Sequence, residues 1–488
     1  MAMGRKERER QDTLWVAVSD IARSEGHVFY RALNQLFRRH GFDGFVEDLV
    51  EKSGVFSSST GRPSVAPGVY FRMSMVGYFE GLSSERGIAW RCADSMSLRE
   101  FLGYELTQET PDHSTLSRWR RNLPEKLHRE VFEWVVGVAR EEKILKGRRI
   151  AIDSTTMEAN AAMKSIVRKA DGATYQDYLK KLAKAEGIED PTPQDLQRMD
   201  RRRRGKKASN KDWKSKTDTH ARIARMKDGR TRMAYKVENA MDIQSRITVA
   251  AEVHLADQGD PATVGKTLRS ADETVMNAGV EGGIREVVLD RGYHADAVLE
   301  TLDEKGFRGY VAEPKRGRRN WTKQRRRDGE ECVTRRKRAL YGNRRRSRSR
   351  RGRQLQKLRA EFPERGFAHL KRTGGLARVF VRGRREVTKK VQSYVAAANL
   401  SVILRALLGM GTPRGLQSRL REALAAILFV CRLLHARLAS YSRPLPGSRF
   451  CSAQERSVEF NQASSGLWIR KRAYYSVRNI GYRGCPKD

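Results

Sequence analysis

Three acids stand where this sequence would not ordinarily put them. RRIAIDSTT (148–156) has the apolar alternation of a short buried strand yet closes on Asp153, and REVVLDRGY (285–293) does the same with Asp290. A third, Glu364, falls in EFPERGFAHLKRTGG (361–375), on a predicted helix after the last strand. In an open α/β sheet the C-terminal ends of the strands are where ligands bind. Two carboxylates held there can share a divalent cation, because Mg²⁺ takes hard oxygen ligands. A third acid would complete a two-metal site for displacement at a phosphodiester. Each acid also has an ordinary reading: a strand-end aspartate as a turn or cap residue, and Glu364 behind Pro363 as the first turn of a helix. Their order within one basic domain favours chemistry: strand with acid, hairpin, strand with acid, strand, helix with acid.

The elements that must position these acids form a mixed α/β arrangement. RMAYKVENAMD (232–242) and ITVAAEVHLA (247–256) read as a hairpin turning near Gln244 and Ser245, and FRGYVAEP (307–314) as a further strand. Helical stretches at 174–186, 264–277 and 295–305 lie between strands. Upstream, from about 65 to 145, apolar residues recur at helical spacing, as in VYFRMSMVGYF (69–79) and LHREVFEWVVGVA (127–139). Within that region TPDHSTLSRWRRNLP (110–124) offers Asp112 and Ser114 as caps, then a short helix with Arg118, Arg120 and Arg121. This is the shape of a helix-turn-helix reader, and equally that of a surface helix with solvated arginines. Downstream, 387–410 and 421–438 read as apolar helices, and 440–488 as a loosely ordered tail.

The 488 residues carry 98 Lys and Arg against 58 Asp and Glu, a net charge of +40, which calls for a polyanionic partner. Two runs concentrate it. Residues 201–216 hold nine Lys/Arg with one acid, and 315–359 hold 21 with three. Such runs are expected as loops, arms or solvated helices, touching phosphates or merely water. No apolar stretch reads as a membrane span and no signal peptide is visible, so the chain is expected to stay in the cytoplasm. The five cysteines are scattered, without zinc-ligand spacing, and are expected to be reduced.

From roughly 60 to 420 the chain resembles the DDE transposases of bacterial insertion sequences. The resemblance rests on GRPSVAPGVYFRMSMVGYFEGLSSERGIAWRCAD and PDHSTLSRWRRNL, then on IAIDSTTMEANAAMKS, KDGRTRMAYKVENAMD, ADQGD, LDRGYH, EPKRGRRNW and ERGFAHLKRTGG, and on AAANLSVILRALLGMGTPRGLQ near the end. It implies a helical, helix-turn-helix-like N-terminal DNA-binding domain (1–145) and an RNase H-like catalytic domain (146–410), a mixed sheet with flanking helices and basic insertions near 155–230 and 315–359. A C-terminal helix and tail (411–488) would follow. It also implies Asp153, Asp290 and Glu364 as a triad holding Mg²⁺, with Mn²⁺ able to substitute, and Lys371 as a DNA contact near the scissile phosphate. Arg118, Arg120, Arg121 and Arg291 are further candidate DNA contacts. His294 is a candidate for a phosphate contact or for a structural hydrogen bond. Relatives often carry a tyrosine and an arginine upstream of the glutamate, where this chain has Lys357 and Ala360, with Arg359 one place off. The expected partners are the inverted-repeat ends, target DNA and a second copy of the chain. A catalytically inactive DNA-binding relic or repressor is the alternative.

Overall fold

The computed structural model describes residues 17, 25–55, 64–203, 209–315, 319–409 and 411–413. The expected helix at 421–438 and the tail beyond 440 lie outside these residues.

Seven helices come first: α1 (Glu25–Arg39), α2 (Phe42–Lys52), α3 (Pro67–Glu80), α4 (Glu85–Asp94), α5 (Met96–Leu102), α6 (His113–Asn122) and α7 (Glu125–Glu141). Their starts are written locally. Pro67 opens α3, and Ser84, Ser95 and Asp112 each accept a backbone N–H of the helix that follows. Asp112, rather than Ser114, is the cap of α6, taking the Thr115 N–H at 2.8 Å.

Next come β1 (Arg149–Glu158), β2 (Ile166–Arg168), α8 (Tyr175–Ala185), α9 (Pro193–Arg202), β3 (Trp213–Ser215), β4 (Arg222–Arg225), β5 (Thr231–Asp242), β6 (Thr248–Leu255), α10 (Asp260–Asn277), β7 (Glu286–Leu289), α11 (Asp296–Glu304) and β8 (Arg308–Val311). Four helices finish the described chain: α12 (Trp321–Asp328), α13 (Glu330–Arg348), α14 (Arg350–Ala368) and α15 (Arg384–Leu408). The main sheet runs β4, β5, β1, β7, β8, with β6 also on β5. β1 is antiparallel to β5 and parallel to β7, and β7 is parallel to β8.

The period-2 pattern sorts side chains onto two faces. Ile150, Ile152, Val287 and Leu289 enter the main core, whereas Ala151 and Val288 pack on the opposite face with Leu355, Leu358 and Phe362 of α14. Asp153 and Asp290 continue that second alternation, so both fall on the α14 side.

The charged runs are more ordered than composition suggests. Within the first insertion, α8 and α9 share a small core of Leu179, Ala183 and Leu196, β2 pairs with β3, and Trp213 of β3 packs edge-on against Tyr175 and Tyr178 of α8. The second run folds into α12, α13 and the start of α14. α13 and α14 need only a narrow apolar stripe, here Val333, Ala339, Leu340 and Leu355, and acids take up several of the run's arginines: Arg336 pairs with Glu300 of α11 and with Asp328 at the end of α12, and Arg344 with Glu313.

Helix α15 is long and apolar enough by composition to cross a membrane, although the sequence reading found no such stretch, but 67% of its most apolar window is buried inside the protein. It packs on β6 on one side and on α3 and α7 on the other. Its length comes from serving two halves of one core.

Two buried histidines tie stability to pH. His128 meets the Tyr70 hydroxyl at 2.9 Å and is pulled down to about 3, chiefly by burial. His254, buried beside Thr267, is pulled down to about 4, again chiefly by burial. Both fold neutral, and a free histidine titrates near 6.5. Below that pH the unfolded chain takes up protons that the folded chain refuses, so stability falls as pH drops from about 6.5 toward 4, each histidine contributing at most about 1.4 kcal/mol per pH unit. Urea unfolding at stepped pH should show this slope, and His128→Gln should reduce it; an unchanged slope would rule out His128 as a source.

Candidate active site

Asp153 is not at a strand end, as the sequence suggested, but in the middle of β1. β7 pairs with β1 only as far as Ala151, whereas β5 pairs with it out to Glu158. Asp153 therefore sits where its parallel neighbour stops, beside Asp290, the first residue after β7. The Asp290 carboxylate accepts the Gly292 N–H at 2.8 Å and so caps a single 3-10 turn, Arg291–Tyr293. Asp153 accepts the Ser154 N–H at 2.9 Å. Burial raises the Asp153 pKa above its usual value, against the pull of the Arg359 guanidinium.

One cation joins the two carboxylates. A terminal nitrogen of Arg359, on α14, lies 2.8 Å from Asp153 Oδ1 and 3.3 Å from Asp290 Oδ2. Its side chain is only 12% exposed, and its Nε is buried without a hydrogen-bond partner among the described residues. The oxygens of two acids thus converge on one positive group. That donor set, hard and anionic, fits a divalent metal.

Glu364 is placed differently. Helix α14 runs through Pro363, so Glu364 lies near the end of a helix rather than at its start. Proline removes one N–H and leaves the helix otherwise continuous here, with Phe362 and Phe367 packed on either side of the residue pair. The Glu364 side chain is 70% exposed and pairs with Lys227 at 3.9 Å. Among the described residues no three acids, cysteines or histidines cluster closely enough to hold an ion together. Two of the predicted triad are brought together and the third stands apart.

Lys371 lies beyond a change of helix type. Residues His369–Thr373 form a π turn, so the seven-residue spacing from Glu364 does not keep the two on one face as an α-helix would. The Lys371 ammonium donates to the Thr155 hydroxyl and the Thr156 carbonyl, both at 2.7 Å, which puts it on β1 two residues past Asp153. Burial, then the charge of Lys227, brings its pKa down to about 8.

Behind the acids, on the opposite face of the sheet, lies a buried polar network. Glu238, wholly buried, pairs across the strands with Ser154 and accepts hydrogen bonds from Tyr293, Thr263 and Thr267. Lys236 lies 2.7 Å from Asp260, which also accepts from the Ser154 hydroxyl at 3.0 Å. Burial raises the pKa of Glu238. The network ties together the residues next to Asp153 and Asp290, and it explains ADQGD: Asp260 opens α10 and reaches under both strands.

The remaining predicted contacts divide. Arg118, Arg121 and Arg291 are exposed. Arg120 is not available to a ligand: its side chain is 13% exposed and bound to Glu85 and Glu386, tying α6 to α4 and α15. His294 is buried, only 3% exposed. Sequence reasoning missed Arg359 and Lys227. Arg359 was noted only as one place off a family position, and nothing local marks Lys227 among so many cations.

Two family models match the chain. Residues 18–122 match the one described as Transposase domain (DUF772), and residues 145–400, more than half of the chain, match Transposase DDE domain. The chain belongs to the DDE transposases of insertion sequences. The RNase H-like catalytic domain of these transposases is the mixed sheet with its flanking helices described above. Transposition by DNA cutting and joining is the activity of the family. No curated protein matches the chain.

Two outcomes test the geometry. A Cβ on Gly292 would lie 2.6 Å from Asp260 Oδ2 and 3.1 Å from Asp290 Oδ1. Gly292→Ala should keep the fold by circular dichroism yet slow DNA cleavage by roughly 10²-fold, the scale of an ångström-sized misplacement; wild-type rates would remove the constraint. Because Lys371 loses its proton near pH 8, affinity of the wild type for DNA should weaken as pH rises through 8, and Lys371→Arg should remain flat across that range in a fluorescence titration.

Proposed function

We propose that this transposase cuts DNA at Asp153, Asp290 and Glu364, and the convergence of Asp153 and Asp290 on a single cationic group is the observation that carries the reading. The three acids would hold Mg²⁺, with Mn²⁺ able to replace it, and the metal would supply Lewis-acid stabilisation of the phosphodiester displacement. Water cuts at each end of the element and leaves a 3′-hydroxyl, which then attacks a target phosphodiester; the leaving group departs as an alkoxide that takes a proton, and no protein–DNA bond forms. The residues of the chain fix positions: the buried network holds Asp153 and Asp290, and Lys371 offers a positive charge beside β1.

DNA reaches the acids across basic ground. A cavity of about 870 Å³ adjoins the end of β8, lined by Trp321, Tyr341, Lys315, Arg348, Arg353 and Lys357. Gln356, on its wall, donates to the carbonyls of Leu289 and Tyr310, which ties the cavity to the strand that leads into Asp290. The helical region up to residue 145 would read the inverted repeats, with Arg118 and Arg121 exposed on α6 and Arg291 nearer the acids. Two ends must be cut together, so the working form is a dimer on DNA, in the cytoplasm and at the nucleoid.

The distance of Glu364 from the other acids favours one second reading, a copy that binds the element ends without cutting them. Labelled duplex carrying the flanking ends, incubated with Mg²⁺ or Mn²⁺, separates the two. Wild type should release free 3′-hydroxyls, and Asp153→Asn, Asp290→Asn and Glu364→Gln should bind but not cut. Salt-sensitive binding with no cleavage by any of the four would leave the DNA-binding reading alone.

A further inference from the structure

The β4–β5 hairpin supplies a cation for which the reaction outlined above has no role. β5 is twelve residues long; its first four pair with β4 and most of the remainder with β6. Its tip is tightly closed: the Met226 N–H donates to the Arg230 carbonyl at 2.8 Å, the Gly229 N–H to the Met226 carbonyl at 3.0 Å, and Gly229 takes a φ of +79°, which a side chain would resist. Asp228 is held within the hairpin, accepting from the Arg230 N–H at 3.0 Å and pairing with Arg232 at 3.3 Å. Arg232 in turn binds Glu158 at the end of β1. The tip is therefore anchored to the catalytic strand, and three cations stand exposed on it: Arg225, Lys227 and Arg230.

Of the three, Lys227 turns back to the acids. Its ammonium lies 3.9 Å from Glu364, and its charge acts on both Asp153 and Lys371. This ion pair does little for the fold. Both side chains are more than two-thirds exposed, and solvent screening leaves pairs of that kind contributing little to stability. A cation held so weakly, on a rigid hairpin, paired with Glu364 and within electrostatic reach of Asp153, faces acids whose proposed substrate is a polyanion and is available for exchange onto that substrate.

We propose that Lys227 contacts a backbone phosphate at or next to the scissile position, leaving Glu364 as the DNA enters, with Arg225 and Arg230 on the flanking backbone. The ligand is a phosphodiester of the DNA end, recognised by charge and not by base. This rests on the reading that the three acids cut DNA, because that reading places the scissile phosphate beside them.

The test is a binding experiment and so does not depend on turnover. Full-length wild type, Lys227→Ala, Lys227→Arg and a control on a distant surface, Lys305→Ala, are titrated with duplex ends in which single phosphates are replaced one at a time by neutral methylphosphonate. Wild type and Lys227→Arg should lose affinity at one linkage near the cleavage position, by roughly fivefold or more. Lys227→Ala should be indifferent to that linkage and match wild type elsewhere, and its plot of log K against log salt should be shallower by about 0.9, the contribution of one phosphate contact. Thermal melting checks that the exposed tip tolerates the change. If Lys227→Ala keeps the full salt slope and loses affinity at the same linkage as wild type, Lys227 touches no phosphate and the proposal is overturned. If the coupling appears but wild type never cuts, the contact stands and the catalytic reading falls.

Discussion

Two like charges held side by side on a protein face need a cation between them. Asp153 and Asp290 project from adjacent parallel strands onto the same face, and burial already works against the charge on Asp153. Much of the surrounding architecture supplies that cation and fixes the acids. Helix α14 docks through Leu355, Leu358 and Phe362 on the apolar part of the face, which brings Arg359 to the two carboxylates. The guanidinium is suited to the task because it is planar, keeps its charge when buried and can meet two oxygens at once.

The opposite face solves a different problem. A wholly buried glutamate is costly unless its oxygens are satisfied, and Glu238 has Tyr293, Thr263 and Thr267 as donors with Lys236 close by. Once satisfied, such a network is stiff. It joins β1, β5, α10 and the turn after β7, the same elements that set the spacing between Asp153 and Asp290. Precision at the acids comes from residues that do not touch a ligand, and Gly292 leaves the space that the network and Asp290 both use.

The helices before residue 145 do not form a core of their own. Their apolar residues merge with those of the sheet through α15. Polar ties cross the same boundary: Arg120 to Glu386, the Lys389 ammonium to the Arg120 carbonyl, and the Lys390 ammonium to the Ser83 carbonyl. An element-end reader built on α6 would thus be fixed to the catalytic sheet by packed and charged contacts, with no flexible joint between them among the described residues.

Local pattern by itself determined much of this protein. Period-2 alternation marked β1, β5, β6, β7 and β8, capping residues set the helix starts, and an acid closing an apolar run pointed to Asp153 and Asp290, because each of these signals lies within a few neighbouring residues. The charged runs were harder to read. One Lys or Arg in five residues makes any single cation anonymous, so Arg359 and Lys227 emerged only when packing brought α14 and a hairpin tip to the acids. Tertiary structure also decided that Arg120 and His294 face inward, that α12 and α13 are folded helices, with arginines of α13 matched to acids before the charged run, and that Asp153 lies mid-strand. The reason is the same in each case: burial, pairing partners and the end of a neighbouring strand are relations between distant segments, and no window of sequence contains them.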